Sequence, residues 1–169
     1  MRRVIGAQEG RFVDLAGVGV RFLLGADVTG GGFALVEHPI APRTLGSPVH
    51  THTREDEWAF VLEGHVGLLV GDKLIEARPG DLVLKPRGVP HAFWNDTDAP
   101  ARFLEIISPA GFEQYFAEAE RLFAPGEPDM EVSAALNLRY GLDMDFDSVP
   151  RLVAQHGLAP PPEGELASG

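Results

Sequence analysis

Residues 48–64 read PVHTHTREDEWAFVLEG, with two histidines one residue apart and three consecutive acids just beyond them. On a β-strand, positions i and i+2 share a face, which would put the Cβ atoms of His50 and His52 roughly 6.5–7 Å apart. Two imidazoles can close that span around one ion at about 2.1 Å per bond. Taken alone, such a pair in a threonine-rich stretch is more often a surface feature, so the neighbouring residues decide. Glu57 opens the apolar run EWAFVLEG and can carry its carboxylate inward with that strand. Glu55 and Asp56 precede it where the chain still reads as a loop, and are assigned to solvent. A second stretch, PGDLVLKPRGVPHAFWN, supplies His91 at the start of another strand. Three imidazoles and one carboxylate make an N3O donor set, which suits Fe, Mn, Co, Ni, Cu or Zn far better than Mg or Ca. One divalent transition metal ion per chain is the expectation. Four protein ligands leave one or two positions for substrate or dioxygen.

Strands must deliver these groups. From Arg11 to about Ser108 the sequence is a series of short apolar runs broken by Gly, Pro, Asn or Asp: RFVDLAG, VRFLLGA, GFALVEHPI, EWAFVLEG, HVGLLVG, DLVLKP, HAFWN and RFLEIIS. Runs of this length, punctuated about every 8–12 residues, indicate a sandwich or barrel. Val70-Gly71-Asp72-Lys73 reads as a tight hairpin, and Pro79-Gly80-Asp81 as a turn opening DLVLKP. After Ser108 the apolar spacing becomes helical in SPAGFEQYFAEAERLF, with Ser108 as N-cap and Pro109 at the first helical position. Two further helices are predicted in DMEVSAALNLRYG and SVPRLVAQHG, closed by Gly141 and Gly157. The expected organisation is a β-barrel domain over 1–109, a helical extension over 110–158 and a disordered tail over 159–169.

The 169 residues are 44% hydrophobic and carry a formal charge of −11. A chain of that length buries a full core, and the charge argues against nucleic acid or an anionic membrane as a partner. With no cysteine, disulfides, thiolate metal sites and cysteine nucleophiles drop out. The first residues lack an apolar segment of signal length, and no window reaches a membrane-spanning length. The expectation is a cytoplasmic protein.

GSPVHTHTREDEWAFVLEG resembles the first motif of the cupin superfamily, with its HxH, the following Glu57, and Gly64. Gly80, Pro86, Gly88, His91 and Asn95 match the second motif, G-x5-P-x-G-x2-H-x3-N, at every position. One departure is Gly46, which lies closer to the histidines than is usual. The resemblance implies an all-β fold, the double-stranded β-helix or cupin jelly-roll barrel, with His50, His52, Glu57 and His91 as metal ligands. Within the superfamily the chain looks most like bacterial quercetin-dioxygenase-like proteins. That likeness implies a dioxygenase of the quercetin 2,3-dioxygenase type acting on an aromatic, polyphenolic or enolisable substrate, with Glu57 as both ligand and general base. Two other readings are a redox-neutral polyketide cyclase or isomerase using the same residues, and a non-enzymatic small-molecule-binding protein.

The remaining histidines read as structural. His38 ends a strand that could enter the barrel, His65 sits on the rim, and His156 suits a helix C-terminus. Phe93 and Asn95 share strand parity with His91. Trp58, Phe60 and Leu62 have parity opposite to Glu57, so they need cover from the C-terminal helix or a second subunit. A homodimer is therefore expected.

Overall fold

Apolar side chains recur at every second position along the strands, and that period folds them with one face inward and one outward. The computed structural model describes residues 4–123 and 130–160. Its strands are β1 (Phe12–Leu15), β2 (Val18–Leu24), β3 (Ala34–Ile40), β4 (Thr44–Leu45), β5 (Val49–His52) and β6 (Asp56–Glu63). They continue as β7 (Val66–Val70), β8 (Lys73–Ala77), β9 (Leu82–Lys85), β10 (His91–Asn95), β11 (Ala101–Ser108) and β12 (Leu142–Asp145). Two antiparallel sheets result, ordered β1-β2-β3-β11-β6-β9 and β12-β5-β10-β7-β8, with β4 beside β10. This is an all-β double-stranded β-helix, or jelly-roll barrel, with a short helical C-terminal part.

In β11 the burial alternates strictly, placing Ala101, Phe103, Glu105 and Ile107 inward. Beside it, β6 turns Glu57, Ala59 and Val61 inward, and β9 does the same with Val83 and Lys85. The barrel interior is packed with Val18, Ile40, Leu68, Phe93 and Phe103 at one end, and with Val20, Val36, Ile107 and Phe112 at the other. The expected hairpin forms, with Val70 paired to Lys73 across Gly71-Asp72. So does the turn before β9, where Arg78 N–H donates to Asp81 Oδ2 at 2.8 Å.

The helices are α1 (Ala26–Thr29), α2 (Glu113–Ala119), α3 (Met130–Tyr140) and α4 (Ser148–His156). Ser108 is not an N-cap. It stays paired with Asp56 at the end of β11, its hydroxyl donates to the Gly32 carbonyl at 2.8 Å, and the helix begins at Glu113. Between α3 and α4 the chain adds an unexpected strand, β12, which pairs with β5 and places Leu142 opposite His52. The tail expected from residue 159 falls outside the described residues from 161 onward; Ala159 N–H donates to the Arg43 carbonyl at 2.6 Å. No helix among the described residues is long and apolar enough to cross a membrane.

The C-terminal helix does not cover Trp58, Phe60 and Leu62. Leu152, Val153 and Leu158 pack instead on Ala92 and Trp94, on the opposite sheet. Trp94 is fully buried, its ring stacks on His156 at 3.9 Å, and a Cβ on its cross-strand partner Gly67 would collide with the indole. Gly67→Ala is therefore expected to cost roughly 2–3 kcal/mol by overpacking. Urea denaturation measures that loss, and near-UV dichroism reports the displaced tryptophan.

Candidate metal centre

Strand pairing assembles the site. β10 sets His91 directly opposite His50 on β5, and His52 follows two residues on, on the same face. Glu57 enters from β6 on the facing sheet. One ligand atom from each of His50, His52, Glu57 and His91 lies within 4.8 Å of all the others, and all four residues are buried. The ring orientations are set by the backbone. His50 Nδ1 donates to the Pro48 carbonyl at 3.0 Å, and His91 Nδ1 to the Val89 carbonyl at 3.0 Å. With the proton held on Nδ1, each ring presents its Nε2 lone pair to a metal; in His91 that lone pair faces Glu57 Oε2 at 3.2 Å, two acceptors that an ion between them would reconcile.

The donor set fits a transition metal. His52 is 1% exposed, yet neither ring nitrogen has a hydrogen-bond partner. A buried imidazole left this way is costly in a protein that has no ion for it. Burial first, then the adjacent His91 and His52, drives His50 well below its usual range. Burial likewise lowers His91, against the opposing bond to Glu57. Both rings are thus neutral, the form that ligates. Burial alone would push the Glu57 carboxyl up, but the Lys85 ammonium and the two histidines outweigh it and hold the group well below the carboxylate range.

Two partners escaped the sequence reading. Lys85 Nζ lies 2.9 Å from Glu57 Oε2 and 2.7 Å from Glu105 Oε2. All three side chains are buried. Burial, and the Glu57 charge across the lysine, push Glu105 up to about 8 despite the ammonium. Its Oε1 is buried without a hydrogen-bond partner. The signal was parity: Lys85 shares register with Val83, and Glu105 with Phe103 and Ile107.

The assignment of Glu55 to solvent is corrected. After β5 the chain folds back over the site, burying Glu55 with Oε2 3.6 Å from His52 Nδ1. Asp56 begins β6 and grips Arg87, with contacts of 2.9 and 2.6 Å to its N–H and Nη2. That pair ties the turn before His91 to the strand bearing Glu57.

The cluster stands at the wall of a cavity of about 730 Å³. Val20, Phe93, Phe112, Phe116, Leu142 and Met144 supply apolar lining, and His38, Lys85 and Glu105 also face it. Helix α2 and strand β12, from the C-terminal part, therefore build part of the wall. Gly46, the irregularly spaced motif glycine, lies against the Phe93 ring with no room for a Cβ. Asn95 does not reach the site; its amide donates to the Ala41 and Ala99 carbonyls and staples a loop. His65 is on the rim between Glu76 and Asp96, at 2.6 and 3.3 Å.

His38 is buried among Phe93, Phe103 and Phe116, with Nδ1 donating to the Gly19 carbonyl at 3.0 Å. Burial lowers it to about 4. Folded protein keeps His38 neutral while unfolded chain protonates near 6.5, so its contribution is complete above that pH and lost as pH falls toward 4. His38→Phe should flatten this limb by up to about 3 kcal/mol. Urea denaturation between pH 4 and 7 gives the slopes for comparison.

Residues 37–107 match the family described as the cupin domain. A comparison with curated proteins gives no match. Among solved structures, a predicted oxalate decarboxylase from Thermotoga maritima is 18% identical with a TM-score of 0.59, over 63% of this chain and 98% of that one. The polyketide cyclase RemF from Streptomyces resistomycificus is 29% identical with a TM-score of 0.55, over 64% of this chain and 80% of that one. A sugar phosphate isomerase of the cupin superfamily from Silicibacter pomeroyi is 32% identical with a TM-score of 0.49. That match takes in 54% of this chain and 59% of the isomerase. The class defined by fold and site is a cupin-fold barrel whose buried His50/His52/Glu57/His91 cluster could hold a metal ion.

Proposed function

We propose that the chain is a metal-dependent enzyme of the cupin superfamily acting on an enolisable, aromatic or polyphenolic substrate. The observation that carries this reading is a buried N3O cluster in the wall of an apolar cavity of about 730 Å³, large enough for a polycyclic ligand. His50, His52, Glu57 and His91 would hold one divalent ion. When bound, the ion would supply Lewis acidity to a substrate enol or carbonyl oxygen.

Glu57 suits the ligand role, since Lys85 keeps it ionised. The same ammonium makes it a weak base, so we move the proton-transfer role away from Glu57. Glu105 is the better carrier: at about 8 it exchanges a proton near neutrality in either direction. Its free Oε1 belongs to a residue that faces the cavity. The apolar walls exclude water and orient the ring system.

Removing and returning a proton is the task of a redox-neutral cyclase or isomerase, and the likeness to a polyketide cyclase favours that reaction. The quercetin 2,3-dioxygenase type uses the same residues together with dioxygen. Metal-loaded protein assayed on polyketide-like and flavonol substrates with and without oxygen separates the two. Turnover under strict anaerobiosis supports the cyclase; oxygen uptake with a two-oxygen mass gain supports the dioxygenase. Binding without turnover across several metals would overturn both in favour of a binding protein.

The outer face of β6 and β9 carries Phe60, Leu82 and Leu84, exposed to 37, 51 and 56%. Phe60 pairs with Leu82 and Trp58 with Leu84. We assign this face to a homodimer contact; Leu82→Glu/Leu84→Glu should yield monomers in sedimentation.

A further inference from the structure

Lysine is an unlikely occupant of an inward strand position beside Val83, because burying an ammonium is costly unless it is paired and hydrogen-bonded. Here it is both. Lys85 is 1% exposed, stands directly across from Glu57 in the β6–β9 register, and lies 5.7 Å from the Phe93 ring centroid. It bridges Glu57 Oε2 at 2.9 Å and Glu105 Oε2 at 2.7 Å. The two oxygens of Glu57 are therefore unequal. Both face a histidine nitrogen, Oε2 meeting His91 Nε2 at 3.2 Å and Oε1 meeting His52 Nε2 at 3.3 Å, but only Oε2 also carries the ammonium.

We propose that Lys85, braced by Glu105, is a positioning residue that confines Glu57 to one donor oxygen and so leaves the cavity side of the metal site for a substrate oxygen. This rests on the metal-binding reading above. A carboxylate free of Lys85 could turn both oxygens to the ion and occupy the place a substrate needs. Glu105 touches none of the four donors in any hydrogen bond or ion pair of the described residues; it acts through Lys85. The ligand class that follows is an organic molecule presenting an enolate or phenolate oxygen.

Cobalt(II) tests this without turnover, because its visible bands weaken as coordination number rises. The probe is Co(II) alone, titrated to saturation into metal-free wild type, Lys85→Met, Glu105→Gln and the double variant Lys85→Met/Glu105→Leu. Binding to Lys85→Met should weaken about 10-fold or more, as for other loss of an outer-shell partner. At saturation its bands should fall roughly two-fold, since geometry follows the donor count. Glu105→Gln keeps an oxygen to hold Lys85 and should retain the wild-type spectrum. The double variant removes the buried ammonium together with the carboxyl that braces it, so it is expected to fold even if Lys85→Met does not, and should show the same weakened bands. Wild-type bands in both Lys85 variants would overturn the inference and leave the metal reading standing. Failure of either folded Lys85 variant to take up Co(II) at saturation would also overturn it, since a residue that only limits Glu57 does not hold the ion. Failure of wild type to bind Co(II) would remove the metal reading itself.

Discussion

His52→Leu is expected to abolish stoichiometric metal binding while leaving the metal-free protein as stable as wild type, or more stable. The two halves have opposite signs for one reason. In the metal-free molecule His52 is buried with neither nitrogen hydrogen-bonded, Glu57 Oε1 and Glu55 Oε2 standing off at 3.3 and 3.6 Å, and each such group costs about 1–3 kcal/mol. Leucine of similar bulk removes that penalty and keeps contact with Phe112, whose ring lies 4.3 Å from the imidazole. The holo protein loses one of three nitrogen donors instead. Affinity should fall by more than about 100-fold, the upper range already reached when an outer partner of a ligand is lost. Elemental analysis gives the metal per chain. Thermal melts with metal and with chelator give the crossover: wild type gains from metal by linkage, and the variant gains nothing. A variant that retained one metal per chain would overturn the assignment of His52.

Lys85→Met should be the most damaging single change to the metal-free protein, at about 3–5 kcal/mol. It strips the ammonium from the buried Glu57 carboxylate and the buried Glu105 carboxyl at once. Glu57 keeps the imidazoles of His52 and His91 beside it, at 3.3 and 3.2 Å, but Glu105 has no other partner among the described residues. Lys85→Met/Glu105→Leu should recover most of the loss, because a buried ion pair replaced as a unit by apolar side chains is close to neutral. Chemical denaturation of the four proteins in chelator closes the cycle, with a coupling of at least ~2 kcal/mol expected. Additive losses would mean that the pair is hydrated rather than buried.

The His50/His52/Glu57/His91 cluster was legible in sequence because its signals are local. A two-residue spacing puts His50 and His52 on one strand face, and Glu57 opens the next apolar run. Turn residues before His91 announce the start of its strand. The strands were legible for the same reason, since strand period and turn chemistry operate within about ten residues; that pattern left sandwich and barrel open, and the motif resemblance chose the barrel. Glu55 was misjudged because a loop-like sequence carries no record of which loops fold back over a site. Ser108 was misjudged because its capping chemistry competed with strand pairing to Asp56, a partner 52 positions away that sheet formation favours. Lys85 and Glu105 lay between these cases: their parity is visible, but a charged residue at an inward position has meaning only once its counter-charge is known.

From the sequence, then, came the strand pattern and the four residues that meet in the fold, with the jelly-roll barrel implied by the cupin resemblance. Tertiary structure alone decided that Lys85 links Glu57 to Glu105. It also decided that α4 covers Trp94 rather than Trp58, and that β12 returns to wall the cavity beside His52. The division has a physical cause. Backbone period and turn geometry are properties of neighbouring residues, whereas ion pairing, desolvation and cavity shape arise between segments that only the folded chain brings into contact.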